Sequence, residues 1–500
     1  MAKKKIELVT ICLVVAFAIV IRVIYFIGYG LGDDLTYVNL SKQILAGHWV
    51  NYAYLNQYAY RPLLLLNVAG SFKLFGINEI AFILPIFLSS IFCIPVAYYL
   101  GKHLFNGLAG ILAALALAVY PFNVFNSVTF DNDVIIAFFM GLVVLLFIKA
   151  RDSEISKQTI WYSLAGFFLV VSYLFKMTSL TLIALFIPFT LYDFVVQRRY
   201  FRQVWFYISF GVFFFMVLCF YKVATGEFFR HFIAERVYYN TYIPDYYLKG
   251  AFSAKAMLLQ YPRRMFQPLI FGEIKFFEFG LYLYFFIPAL LLMFYKNPNQ
   301  RYNLLLLWWF VALFASLEFS PSNWDPYFLP VPRQERYLEI INLPIVLTIG
   351  WFLAWITQSK KVVGIFLLSI LVITSLYNTH IRNLFVRESV ASLKEVSKWL
   401  CDNNAREVYV DVTGLSNIIF FTQACNINVR KIDEIGKEKL EKGAYVISGG
   451  SRMHFWDPGL IRTIDKNSSG FKFTKIIEYK ESRTPTRKGP LTLFRSDGEL

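Results

Sequence analysis

The residues best equipped for chemistry stand at the ends of long apolar runs. Gly32-Asp33-Asp34 follows the first run, and the next residues, LTYVNLSKQILAGHW, have a helical pattern that stops at Gly47. Asp33, Tyr37, Leu40 and Ile44 are spaced to share one helical face. That face would turn Asp33 toward apolar surroundings, where partial desolvation raises a carboxylate's pKa and its basicity. The same two acids also suit a helix N-terminus, where negative charge is favoured. Arg61-Pro62 opens a second segment, with proline at a first-turn position. Its guanidinium can bind a phosphate through its planar fork, or snorkel to lipid headgroups. Asp131 and Asp133 stand at the mouth of a later run, and Lys176 and Arg336 at two others. Acids at such a boundary are often merely solvated, yet ionisable groups close to a membrane are candidates for function. Together these residues describe one pocket that holds both carboxylates and cations.

Such a pocket needs a scaffold, and the composition says which kind. Of 500 residues, 57% are hydrophobic and only 16% charged, against about a quarter charged in ordinary globular chains. The apolar runs fall between Leu8 and Tyr377, whereas the last hundred or so residues look ordinary. A span needs about 20 mostly apolar residues. Eleven candidates are 7–27, 79–100, 107–122, 133–150, 160–175, 178–195, 203–221, 278–295, 302–318, 337–357 and 361–379. MAKKK and the run Ile6 to Ile27 read as a retained first span, because no small-residue cleavage site follows.

The net charge of +16 is spread through short clusters between runs, which argues for cytoplasmic loops and against a nucleic-acid partner. With a cytoplasmic N-terminus, the inside connections are Lys102-His103, Lys149 to Lys157, Arg198-Arg199-Arg202, Lys296 to Arg301 and Lys360-Lys361. Each is short and basic, as orientation by positive charge requires. The segments 28–78, 123–132, 222–277 and 319–336 then lie outside, rich in aromatics; Tyr238 to Tyr247 alone holds five tyrosines. Arg61 to Gly76 is too short to span and reads as an interfacial helix on the outer surface.

The expected fold class is therefore a polytopic α-helical membrane protein, with a domain over 1–380 and a small α/β extracytoplasmic domain over 381–500. In the tail, Val390, Leu393, Val396 and Leu400 have helical spacing, and Val408 to Val412 read as a strand. A helix at Glu434 to Lys442 and strands at Ala444 to Ile447, Lys475 to Tyr479 and Leu491 to Arg495 complete it. Cys12, Cys93 and Cys219 fall in apolar runs. Cys401 and Cys425 lie in the tail, as a disulfide or as two free thiols.

The order of these features resembles the GT-C membrane glycosyltransferases, in particular the branch with protein O-mannosyltransferases and the aminoarabinose lipid A transferase. Arg22 late in the first span, the acids Asp33-Asp34, Tyr37 and AGHW follow that pattern, as does Arg61-Pro62-Leu63. So do Asp133 in FDNDVIIAFF (or Asp131 in its place), the element FKMTSL around Lys176, and ERYLEIINLP after Gln334, which carries Arg336. The likeness runs over roughly 20–195, is weaker over 330–355 and is absent from the tail. Two departures stand out: the second acid of the pair is usually glutamate, and the basic-Pro pair often has lysine and a second proline. Both leave the charge in place and the substrate open.

The resemblance implies an inverting hexosyl or pentosyl transferase of the cell envelope, multi-pass in the cell membrane. It would move a sugar from a polyprenyl-phosphate donor to a hydroxyl on a lipid, protein or polysaccharide acceptor at the outer face. Asp33 would be the general base. Arg61, helped by Lys176 or Arg336, would stabilise the leaving phosphate, while Asp34 and Asp133 would orient the base or the sugar. The lipid tail would lie in a groove among the spans. Some relatives bind a divalent metal at comparable acids; no histidine or third acid accompanies Asp33-Asp34 to demand one, so no cofactor is required and a divalent metal is left open but not indicated. An oligosaccharyltransferase would carry WWDxG in its soluble domain, which Asn323-Trp324-Asp325-Pro326-Tyr327 does not reproduce. A lipid or sugar transporter, the alternative from another class, would show mid-membrane charges and internal repeats; here mid-span charge is nearly confined to Arg22.

Overall fold

In hydrocarbon a backbone can satisfy its N–H and C=O groups only internally, so apolar runs of span length become helices. The computed structural model describes residues 2–29, 34–48, 57–195, 202–238, 260–271, 274–297, 300–323, 329–330, 334–410, 418–423, 425–431, 443–448, 471–479 and 491–499. Each of the eleven expected runs is a helix or a helix pair. Among the described residues eight are long and apolar enough to cross a membrane, nine if the bent pair Gly107–Val119 and Pro121–Val128 counts once. The other two, Met177–Leu191 and Tyr282–Lys296, are shorter. The first begins as a 3-10 turn, and both contain a proline, Pro188 and Pro288, which interrupts the regular hydrogen-bond ladder.

One expected boundary moves. The run 107–122 reads in sequence as one span followed by a loop, but the chain bends by 54° at Tyr120 and resumes as the helix Pro121–Val128. Pro121 holds the preceding residue out of the helical region, and Tyr120 is accordingly extended at ψ 114°. Every residue of this second limb is buried. Much of the expected outer loop 123–132 is thus an inserted helix.

The chain forms two compact units: Met1–Phe26, Leu40–Pro268 and Phe277–Thr379 in the first, and Ile27–Asn39, Leu269–Phe276 and His380–Leu500 in the second. In the first unit small residues let helices approach closely. A Cβ on Gly110 would lie 2.5 Å from the Tyr98 carbonyl oxygen, and one on Gly350 2.7 Å from that of Ala109. Described residues of three expected inside connections contact one another. Lys102 pairs with Glu7 at 2.5 Å and His103 with Asp152 at 2.7 Å, while Tyr302 donates to the same Asp152 at 2.9 Å. Arg202 donates to the carbonyl of Ile155 at 2.7 Å.

In the second unit a five-stranded sheet runs in the order Asn428–Lys431, Glu407–Val410, Tyr445–Ser448, Leu491–Glu499 and Phe471–Tyr479. The first three strands are parallel and the last two antiparallel. Val396 and Leu400 of the helix Lys361–Asp402 pack on Val408, Val410, Ile447 and Leu493 as its core. Cys401 and Cys425 form a disulfide, which resolves the two readings left open. The expected helix at 434–442 lies outside the described residues.

Candidate functional site

Asp133 is the first residue of the helix Asp133–Asp152, where the free N–H groups favour an acid. Asp131 precedes it in a tight turn and accepts the Asp133 backbone N–H at 3.0 Å. Lys176 is the extended residue that ends the helix Ile155–Phe175 before the 3-10 turn Met177–Leu182. That break swings its side chain into the bundle, where Nζ lies 2.7 and 2.8 Å from the two Asp133 oxygens and 4.3 Å from the Tyr337 ring centre. Arg336 and Tyr337 belong to the 3-10 turn Glu335–Ile341. Arg61 caps the helix Pro62–Phe75, with proline at its first turn as expected. That helix is buried along Leu64, Leu65, Val68 and Phe72.

The electrostatics tie these residues together. Burial and the neighbouring Asp133 push the Asp131 carboxyl up to about 7, against the pull of Arg336 and Lys176. Burial lowers the Lys176 ammonium, Arg61 and Arg336 lower it further, and Asp133 opposes them. Asp131, Asp133 and Lys176 are 3%, 0% and 7% exposed, so their charges act on one another with little screening. The structure therefore brings five expected site residues together: Arg61, Asp131, Asp133 and Lys176 are buried, and Arg336 is half-buried beside them.

Asp33 lies outside the described residues, and Asp34 falls in the second unit. Asp34 opens the helix Asp34–Leu45 and is buried with Tyr37, Val38 and Ser41, whereas Leu40 and Ile44 are half-buried. The inward stripe of this helix thus runs through Asp34. Gly47 stops it at φ 79°, where His48 N–H bonds back to Gln43 at 3.0 Å.

Two groups escaped the sequence reading. His231 and Glu235 are buried beside the cluster, four residues apart on one helical face. His231 hydrogen-bonds Tyr173 at 2.9 Å and stacks on Tyr60. Burial raises the Glu235 carboxyl, but His231, Arg61 and Lys176 together bring it below its ordinary value. The spacing HFIAE was the available signal, within a segment read as loop. Glu339 is the other, fully buried in the span Glu335–Ser359. It accepts from Asn123, from Asn126 at 2.9 Å and from Asn342 at 2.6 Å. Asn123 in turn accepts from Arg22 at 2.7 Å, and Arg22 also donates to Ser90 at 2.8 Å. The mid-span charge of Arg22 is thus matched by a second one, through asparagines on the inserted helix.

Directly beyond Arg61 an apolar cavity of about 310 Å³ opens between Pro62, Leu63, Val170, Leu174, Met216 and Phe220. Both Asp133 oxygens are engaged by Lys176, and among the described residues no three His, Cys, Asp or Glu gather as metal ligands would.

Residues 61–221, which carry most of this cluster, match the family model of dolichyl-phosphate-mannose-protein mannosyltransferases. The fold is similar to that of ArnT from Cupriavidus metallidurans in its apo state, with TM-score 0.60, 13% identity and 99% and 98% of the two chains covered. The ArnT structure bound to undecaprenyl phosphate aligns with TM-score 0.61 at 14% identity, covering 97% of each chain. The oligosaccharyltransferase AglB of Archaeoglobus fulgidus, in complex with an inhibitory peptide and a dolichol-phosphate, aligns with TM-score 0.54 and 12% identity, over 98% of this chain and 76% of that one. Among curated protein sequences there is no match. The chain shares the GT-C-like fold of these structures over nearly its whole length.

Proposed function

We propose that this protein transfers a sugar from a polyprenyl-phosphate donor to an acceptor hydroxyl at the outer face of a cell membrane. One observation carries the reading: the buried Arg61, whose charge acts on Lys176 together with that of Arg336, stands directly before Pro62 and Leu63, which line the apolar cavity. A fixed cation beside an apolar groove suits a phosphate on a hydrocarbon chain. The lipids in the ArnT and AglB structures, undecaprenyl phosphate and dolichol-phosphate, have that chemistry.

In this mechanism Arg61, with Lys176 and Arg336, stabilises charge growing on the phosphate as the glycosidic bond breaks. Asp33 takes the proton of the attacking hydroxyl, with Asp34 beside it in sequence, and attack from the face opposite the phosphate inverts the anomeric carbon. Asp133, held by Lys176, and Asp131 orient the sugar or the cations. In this reading the basic connections face the cytoplasm and the C-terminal domain lies outside, where the Cys401–Cys425 disulfide persists.

The test is turnover of purified protein with a panel of polyprenyl-phosphate sugars. Arg61→Ala and Asp33→Asn should each lower kcat/KM roughly 100-fold or more. Arg61→Lys should not restore the wild-type rate, because an ammonium lacks the planar fork. Full transfer by Asp33→Asn would sink the proposed base, and donor translocation without transfer would favour a transporter.

A further inference from the structure

The C-terminal domain has no part in the mechanism above, yet the second unit ties it to the segment that bears Asp34. Tyr29, just after the turn at Gly28 (φ 86°), is wholly buried. Its ring lies flat on Phe420, with centroids 4.0 Å apart and planes 4° from parallel, and edge-on to Phe421 at 6.0 Å. Burial and the Asp34 charge, five residues on, both push the Tyr29 phenol well above its ordinary range.

The two phenylalanines are themselves held. Ile418, two residues earlier, is fully buried in the domain core with Val396, Leu400 and Val408. Thr422 Oγ1 bonds back to the Ile418 carbonyl at 2.6 Å, and Cys425 N–H to Thr422 at 2.9 Å. The disulfide then joins Cys425 to Cys401, near the end of the helix Lys361–Asp402. Lys394 of that helix caps the Phe421 ring at 5.4 Å.

We propose that the C-terminal domain is a clamp on the approach to Asp34, in which Phe420 and Phe421 grip Tyr29 and the Cys401–Cys425 disulfide holds the grip. Tyr29 and Phe420 are positioning residues. A stacked ring pair restrains direction as well as distance, and a carboxylate displaced by an ångström loses much of its effect on rate. The consequence for catalysis rests on the function proposed above; the clamp itself does not.

The experiment uses the full chain in detergent and reads two quantities: hydrogen exchange over 27–39, and turnover with a polyprenyl-phosphate sugar. Phe420→Leu keeps the apolar contact and removes the stack. It should speed exchange over 27–39 and lower kcat roughly 10- to 100-fold, with donor KM within about twofold. Phe420→Tyr should restore both. The double variant Cys401→Ser/Cys425→Ser should shift both readouts in the same direction, and it serves if Phe420→Leu does not fold. Unchanged exchange over 27–39 in these variants overturns the clamp, and faster exchange with unchanged kcat overturns its positioning role. A wild-type protein that turns over no donor would end the transferase reading, while the exchange measurement still decides the clamp.

Discussion

Lys176 Nζ donates to both carboxylate oxygens of Asp133, at 2.7 and 2.8 Å, and joins two helix ends 43 residues apart in the chain. The lysine ends one helix and the aspartate begins another, so each charge also meets a favourable dipole end. With the Asp133 side chain fully buried and that of Lys176 9% exposed, neither charge has water to fall back on.

Breaking this pair from one side should be expensive. Lys176→Met alone leaves a buried carboxylate, and Asp133→Leu alone a buried ammonium, each destabilising by about 3–5 kcal/mol. The double variant Lys176→Met/Asp133→Leu should recover most of the loss. Thermal unfolding in detergent, followed by tryptophan fluorescence, measures all three; additive losses in the double variant would contradict the pairing.

Asp131 makes stability depend on pH. Its folded pKa of about 7 lies above the ordinary value of 3.8, so the native state holds this proton where the unfolded chain has lost it. The contribution is fully present below the unfolded pKa and is lost as pH rises toward 7. The midpoint of unfolding should therefore fall from acid to neutral pH, and Asp131→Asn should flatten that slope. The groups facing it, Asp133, Arg336 and Lys176, are kept in both proteins so that the difference isolates Asp131.

Glu339 and Arg22 should prove coupled although they do not touch. Asn123 accepts from Arg22 and donates to Glu339, so Glu339→Gln strips the charge that balances a fully buried guanidinium. We expect a loss of about 3 kcal/mol for Glu339→Gln and a coupling with Arg22→Met of roughly 0.5–3 kcal/mol in a double-mutant cycle. Independent effects would show that the asparagines transmit nothing.

Sidedness has its own check. A tag placed after Leu500 should be digested by protease added to intact cells, and a cysteine introduced at Ser153, beside the His103–Asp152 pair, should label only after permeabilisation. The reverse pattern would invert the orientation and move the proposed chemistry to the cytoplasm.

Much of this was legible in the chain. Eleven apolar runs, their basic connections and the Arg61-Pro62 helix start follow from hydropathy, charge and proline geometry, which are local properties. Those same local properties picked out Asp131, Asp133, Lys176 and Arg336 as charges where charge is sparse. They could not pair them, since periodicity names the face a residue occupies and not what lies opposite it.

Tertiary structure decided the rest. It set Lys176 against Asp133 rather than in solvent, joined Cys401 to Cys425, and balanced Arg22 with Glu339 through asparagines from a helix that sequence had read as loop. It also stacked Tyr29 on Phe420, nearly four hundred residues later in the chain. A buried charge or ring is satisfied by whatever packing brings to it, and that partner is a property of the folded chain.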